Sequence, residues 1–287
     1  MKLLVLSPKK MSETTKKIVE EAEKLFDQVD IIPINEIIIE AKNNCKLLYK
    51  GKEIEKYDYI LPRIDSIRAK HGYKIIDYFD YIKAKKPYNS RTILIAHNKF
   101  KTIYELKKAG LPTPATWLIS STKAIEDILK KIDFPIVIKL VSSFGGKGIT
   151  FAETYESAKS VISTLKTLKQ EILLEEYIET GGEDIRIFVI GNEIVAMKRI
   201  AEKGKLKSNI HAGGKVKAYK PSKEEIDLAI KASNIIGSSI CAVDMLIGKD
   251  EPKIIEMNIN PGISGITKAS GINVAQKIAA YAYEQSK

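Results

Sequence analysis

A chain of 287 residues with 44% hydrophobic and 29% charged side chains has the balance of a globular protein rather than a disordered one, with length for one large or two to three small domains. No apolar run approaches the ~18 residues that cross a membrane, the opening MKLLVLSPKK is too short in its apolar core for a signal peptide, and two cysteines, Cys45 and Cys241, make neither a disulfide framework nor a cysteine-based zinc site; a reducing cytoplasm is the expected home. The formal net charge of +11 fits either lysine and glutamate spread over the surface or an acidic partner such as nucleotide phosphates or a polyacidic peptide, and no nucleic-acid motif accompanies it.

In chain order, Leu3 to Ser7 reads as a short buried strand. Ser12 is placed to cap a helix whose Ile18, Val19, Ala22, Leu25 and Phe26 fall at helical spacing. VDIIPI and YDYILPRI (Tyr57 to Ile64) follow as strands, and this order predicts a small parallel α/β domain, closed by the connection KAKKPYNSRT near residue 95. Asn98 then opens a helix that Gly110 and Pro112 stop. WLIS, a helix around Ala124 to Ile132, the strand PIVIKL (Pro135 to Leu140), the loop SSFGGKG, the returning strand ITFAE and a helix from Thr154 to Leu168 make a second unit. In a third, ILLEEYI, DIRIFVI and EIVAMKR read as strands, with Gly191-Asn192 as a hairpin turn. Ser222 and Glu225 form a capping box for a helix to about Ile236. SICAVDMLI and KIIEMNI are the last strands, and Asn273 to Tyr283 the last helix.

The stretch KIIEMNINPG, Lys253 to Gly262, sets an acid and an amide two residues apart in an apolar run. Residues i and i+2 of a strand share a face, so Glu256 and Asn258 project together while Ile255 and Met257 face the other way. Pairing Ile247 with Lys253 across the short loop from Gly248 to Pro252 puts Asp244 opposite Glu256. Asp244 shares its face with Ile240, Ala242 and Leu246, where a carboxylate calls for a partner or a metal. Either Asp244 faces solvent on a half-exposed sheet, or it joins Glu256 and Asn258 in an oxygen-only site suited to Mg²⁺, with phosphates completing the shell.

Magnesium would imply nucleotide phosphates. A P-loop and a Rossmann glycine fingerprint are both absent. What remains is SSFGGKG, either a plain turn or a glycine-rich hairpin whose backbone N–H groups cover phosphates. Lys139 is either an edge-strand lysine or a phosphate-binding charge, and Lys99, at a helix start, is a second candidate. Arg186 and Arg199 are either surface charges or a clamp for a carboxylate or acyl phosphate. His211 is a candidate proton acceptor, whereas His71 and His97 show no role.

KLVSSFGGKGI, EEYIETGGEDIRIFVIG, AMKRIAEKGKLKSNIHAGG, AVDML and IIEMNINPGISGITKASG stand in the order seen in ATP-grasp enzymes. With MKLLVLS, YILPRI and the LP-x-P after Asn98, the chain resembles the RimK-type glutamate ligases from end to end. The resemblance implies an α/β ATP-grasp fold: an N-terminal Rossmann-like pre-ATP-grasp domain over 1–95, a central subdomain with the glycine-rich loop over 96–174, and a C-terminal subdomain with the metal site over 175–287. It implies Lys99 and Lys139 on phosphates, Glu176 and Tyr177 at the adenine hinge, and Asp184 on the ribose. Lys207, Ser208 and Asn209 would contact nucleotide or substrate, although Lys207 stands where the family commonly has arginine and lacks its planar fork. Arg186 and Arg199, with Asn209, would serve catalysis, and Asp244, Glu256 and Asn258 would hold Mg²⁺ (or Mn²⁺).

The implied reaction is ATP-dependent addition of L-glutamate to a carboxylate acceptor through an acyl phosphate, releasing ADP and phosphate. The acceptor would be acidic, a ribosomal protein tail or a glutamate-bearing pterin or deazaflavin cofactor. Two other readings are a ligase acting on an acidic amino-group carrier protein in lysine or arginine synthesis, and a non-catalytic nucleotide-dependent RNA-binding or regulatory protein. The family likeness also implies a homo-oligomer, dimer or tetramer, with no membrane association.

Overall fold

The computed structural model describes residues 1–119, 123–141, 148–166, 171–201, 214–249 and 251–287. The apolar start forms strand β1 (Lys2–Ser7), buried from Leu3 onward. Helix α1 (Glu13–Ala22) follows, with Ser12 Oγ accepting the Thr15 N–H at 3.2 Å and Ile18, Val19 and Ala22 turned inward. β2 (Gln28–Pro33) runs parallel to β1. A small antiparallel sheet, absent from the sequence reading, comes next: β3 (Ile37–Ala41), β4 (Cys45–Tyr49) and β5 (Lys52–Glu53). β6 (Tyr59–Pro62) completes the first sheet, parallel throughout in the order β2-β1-β6. Helices α2 (Ala69–Tyr81) and α3 (Ser90–Ala96) follow. The segment KAKKPYNSRT is thus only partly a connection, because Asn89 Oδ1 accepts the Thr92 N–H at 3.0 Å and starts α3 within it.

Asn98 caps α4 (Lys99–Lys108) in the same way, and Gly110, at φ +79°, follows its end. β7 (Thr116–Ile119), α5 (Lys123–Leu129), β8 (Ile136–Leu140), β9 (Ile149–Ala152), α6 (Tyr155–Lys166) and β10 (Ile172–Glu176) build the middle of the chain. Their four strands form an antiparallel sheet ordered β7-β10-β8-β9 around a core of Leu129, Ile136, Ile138, Ile162 and Leu174. β8 lies inside this sheet, so Lys139 is not the edge-strand lysine considered above.

The last third is β11 (Glu183–Ile190), β12 (Glu193–Ile200), β13 (Lys215–Ala218), α7 (Lys223–Ile236), β14 (Ile240–Ile247), β15 (Pro252–Asn258), α8 (Ser264–Ser270) and α9 (Val274–Ser286). The five strands form an antiparallel sheet in the order β13-β12-β11-β14-β15. Gly191 turns the β11–β12 hairpin at φ +58°, and a Cβ there would collide with the Tyr281 ring. One face of this sheet, with Ile185, Ile187, Val189, Val243 and Met245, shares a core with Ile236 of α7 and Ile93 of α3. On the other face, Phe188, Ile190, Val195, Met197 and Ala242 pack with Leu3 and Val5 of β1 and with Ile278 and Ala279 of α9. The first sheet is therefore docked onto the last.

Both bonds of the Ser222–Glu225 capping box are formed, and Gly237 ends α7 in the left-handed region. Ser222→Ala should lower unfolding stability by about 1 kcal/mol, read by urea titration. A change below about 0.3 kcal/mol would show that the cap carries no weight.

Candidate active site

The alternation of β11, β12, β14 and β15 gathers charge at one end of the sheet face whose other end is apolar. Cross-strand pairing sets Asp184 opposite Arg199, Arg186 opposite Asp244, and Asp244 opposite Glu256. Asn258, opposite Ala242, shares that face. The Asp244–Glu256 pairing matches the sequence reading, but by another route. At the hairpin tip Ile247 pairs with Pro252 rather than with Lys253, and a bulge between Asp244 and Met245 absorbs Ile255. The bulge also breaks the expected alternation: Ile254 and Met257 enter the core, whereas Ile255 is only half-buried. One extra residue in one strand re-aims every side chain beyond it, which is why Glu256 turns out of the core.

Asp244 is 2% exposed and held by two arginines. Arg186 donates from Nε to Oδ1 at 2.6 Å and from Nη2 to Oδ2 at 2.5 Å, and Arg199 Nη2 donates to Oδ2 at 2.9 Å. Arg199, itself buried, also donates from Nε to Asp184 Oδ1. Burial pushes the Asp244 carboxyl up, but Arg186 and Arg199 outweigh it and hold the pKa down to about 2. Asp184 goes the other way. Burial raises it to about 6, with Arg199 opposing and the Asp244 charge reinforcing the rise. The need for a partner at Asp244 is met here by two guanidinium groups.

Glu256 is half exposed, with Lys99 Nζ 3.9 Å from its Oε1. Asn258 Oδ1 accepts the Asn260 N–H at 2.9 Å, which fixes the turn leading to Pro261. Both side chains line a cleft of about 210 Å³ together with Asp65, His97, Lys99 and Asn260. Among the described residues no group of three His, Cys, Asp or Glu side chains could hold a metal. The oxygen groups that share this face are two carboxylates and a carboxamide, those of Asp244, Glu256 and Asn258. That composition suits Mg²⁺, which binds through one or two carboxylates and takes its remaining ligands from phosphates and water. Three N–H bonds leave one of the roughly four lone-pair positions of Asp244 for a cation.

Lys139 lies apart from this row, on β8, where its Nζ bonds the carboxylate of Glu175. Glu175 is 3% exposed and was passed over in the sequence. Consecutive acids at a strand end put one of them on the inner face, and that is the signal that could have found it. Its neighbour Glu176 accepts the Ala115 N–H at 3.0 Å and Lys253 Nζ at 2.8 Å, tying β10 to β15. Burial raises the Glu176 carboxyl, but Lys253 and the Ala115 N–H outweigh it and hold it below its ordinary range. The Tyr177 hydroxyl donates to Glu179 at 3.0 Å, and its ring stands edge-on to Phe151 at 4.8 Å. Lys207, Ser208, Asn209, His211 and residues 142–147 of the glycine-rich loop lie outside the described residues.

A family model described as the RimK-like ATP-grasp domain matches residues 96–282, and one described as the RimK PreATP-grasp domain matches residues 1–93. A protein of Vibrio atlanticus named "Probable alpha-L-glutamate ligase" is 35% identical over 291 residues, covering 100% of this chain and 97% of that relative. A protein of the same name from Thioalkalivibrio sulfidiphilus is 33% identical over the same spans. Among solved structures, the ATP-grasp ligase PsnB complexed with minimal precursor, Mg and ADP superposes with a TM-score of 0.77 at 13% identity, over 99% of this chain and 98% of that one. The RimK domain protein ATP-grasp of Sphaerobacter thermophilus gives 0.74 at 15%, over 98% and 99%. The Bacillus anthracis D-alanine–D-alanine ligase complexed with ATP gives 0.66 at 15%, over 100% and 97%. These structures share the fold.

Proposed function

Because the chain belongs to the RimK family of ATP-grasp ligases, we propose that it joins the amine of L-glutamate to a carboxylate acceptor, through an acyl phosphate, with release of ADP and phosphate. The observation that carries this reading is the shared face on which two locked arginines adjoin the oxygen donors Asp244, Glu256 and Asn258. A carboxylate resists attack by an amine because it is anionic and has no good leaving group. Phosphorylating it supplies the leaving group, and the charge of the moving phosphoryl group then has to be stabilised. Asp184 and Asp244 fix the forks of Arg199 and Arg186. Each guanidinium has five N–H donors, so both keep others for phosphoryl oxygens without reorganising. Lys99, beside Glu256, adds a positive charge at the cleft. Asp244, Glu256 and Asn258 would hold Mg²⁺, or Mn²⁺ in its place, and the ion would neutralise charge on the phosphates. Lys139, whose Nζ bonds Glu175, would contact phosphates, and Glu176 and Tyr177 would flank the adenine.

The net charge of +11 supports an acidic acceptor. Among the described residues no helix is long and apolar enough to cross a membrane. The test is mass spectrometry of glutamate-terminated peptides, a ribosomal protein tail, and pterin and deazaflavin cofactors incubated with the protein, ATP, Mg²⁺ and L-glutamate. Products heavier by whole glutamate residues, and only with ATP present, are expected. ATP binding with no product from any acceptor would count against the glutamate ligase reading.

A further inference from the structure

Part of the net charge of +11 is concentrated at one sheet edge. Among the described residues β13 pairs only with β12 and is an outer strand of the five-stranded sheet. The opposite outer strand is engaged, because Ile254 of β15 donates its N–H to the Pro112 carbonyl at 2.9 Å. On β13, Lys215, Lys217 and Ala218 are exposed and Val216 is half-buried. From Lys215 to Lys223 the chain carries four lysines and no Asp or Glu. None of the four has a carboxylate partner among the described residues. Lys217 stands directly opposite Lys198, a like-charge placement that weakens a sheet. Lys198 is paired with Glu183 at 2.7 Å and lies over the Tyr219 ring, so the uncompensated charge is that of Lys217. Lysine on an outer strand keeps ordinary strands from adding there, and by the same charge favours one that carries carboxylates.

This edge borders the candidate active site. Val216 is paired with Arg199 and so lies on the arginine face, where it packs on the core that includes Ile266 of α8. Lys215 and Lys217 alternate with it and project from the reverse face. β13 begins beside the end of β12 that carries Arg199, with Lys215 opposite Ile200. A strand laid antiparallel on β13 therefore runs toward the charged end of the sheet and delivers its C-terminal carboxyl there. Neighbouring strands lie about 4.8 Å apart, so the added strand sits about 19 Å from β14, which carries Asp244. An extended chain covers that distance in about six residues.

We propose that the free edge of β13 is where the acceptor docks, as an acidic polypeptide that adds an antiparallel strand with its carboxylates against Lys215 and Lys217. This rests on the ligase reading above. Backbone hydrogen bonds to β13 hold the strand and the lysines select acidic sequences. The C-terminal residues then turn over the sheet end toward Arg199, Arg186 and Asp244. About four residues pair with β13 and about six cross to the site. An acceptor of about ten residues is thus needed to use the edge, whereas a dipeptide reaches the site without it.

The probe is a ten-residue peptide of alternating Thr and Glu, ending in Glu and fluorescent at its N-terminus. Its binding to the full-length chain is read by anisotropy. The double variant Lys215→Glu, Lys217→Glu should weaken binding by about tenfold or more. Lys130→Glu with Lys131→Glu, an equal change of charge at exposed lysines after α5, should weaken it by less than about twofold. Methylating every second peptide amide keeps all the carboxylates. It should weaken binding by about tenfold in the phase whose N–H groups face β13 and by less than about twofold in the other. Poly(U) should displace the peptide at least about tenfold less well than unlabelled peptide does. With ATP, Mg²⁺ and L-glutamate, the Lys215 and Lys217 double variant should raise KM for the ten-residue peptide by about tenfold, with kcat within about twofold. KM for a dipeptide of two glutamates should stay the same. Absence of peptide binding overturns the docking edge, as does equal weakening by the two charge variants. An equal response to the two methylation phases, equal competition by poly(U), or an equal rise in KM for the dipeptide overturns it as well. Binding with the expected pattern but no product supports the edge, and the ligase reading then fails separately.

Discussion

Glu256→Gln should reduce acceptor-dependent ADP release by roughly 10²–10⁴-fold while leaving the fold intact. The charge lost is that of a hard oxygen ligand, and a neutral amide holds a divalent cation far less well. The fold should survive because the side chain is half exposed and its ion pair with Lys99 is long, at 3.9 Å. Such surface pairs contribute about 0–1 kcal/mol, so the melting temperature should move by no more than about 2–4 °C. A coupled ADP assay and a thermal melt on the same sample decide the matter. Full turnover in Glu256→Gln would remove Glu256 from the metal site, and loss of activity accompanied by unfolding would show that the residue is structural.

Arg199→Met should add a large cost in stability. Arg199 is 5% exposed and donates to both Asp184 and Asp244. Removing it takes a charged partner from two buried carboxylates, of which Asp244 keeps Arg186, and breaking a buried pair from one side costs about 3–5 kcal/mol. Adding Asp184→Asn should recover part of the loss, because one of the two carboxylates that lost Arg199 is then uncharged. The acid limb should change as well. Asp244 has its native pKa held down to about 2, below the ordinary 3.8. Its pairing therefore contributes stability that is present above pH about 4 and lost as pH falls toward 2. Asp184, raised to about 6, works in the reverse sense: the folded chain keeps a proton the unfolded chain releases, so its contribution declines as pH rises from about 4 to 6. Urea titrations of the natural chain and Arg199→Met between pH 3 and 7 should show a shallower acid limb in the variant. Equal stability across that range would mean that the arginine–carboxylate network carries little of the fold.

Caps and hairpins were legible because their signals are local. Ser12, Asn98, Ser222 and Gly191 act within a few residues of their position in the chain. The row of Asp244, Glu256 and Asn258 was legible because period-two alternation and a short loop bring these residues together. The family likeness supplied the whole α/β architecture, which periodicity alone had divided only into units. What stayed hidden depends on partners distant in sequence. The bulge that absorbs Ile255 is set by how β15 seats against its neighbours, so strict alternation misassigned that residue. The sheet of β3, β4 and β5 gives a weak pattern because Ile38 and Ile39 are exposed. Lys139 could be taken for an edge residue because strand order is not written in the chain, and the same holds for its bond to Glu175. Arg63 is not singled out in the sequence because its hydrogen-bond partner, the Pro261 carbonyl, lies 198 residues further along the chain.

The account rests on a carboxylate being phosphorylated before an amine attacks it. The most direct test is oxygen transfer. A glutamate-terminated peptide labelled with ¹⁸O in its carboxyl groups is incubated with the chain, ATP, Mg²⁺ and L-glutamate, and the released phosphate is read by ³¹P NMR. The acyl phosphate route predicts one ¹⁸O in each phosphate formed together with product. Product accompanied by unlabelled phosphate would contradict it.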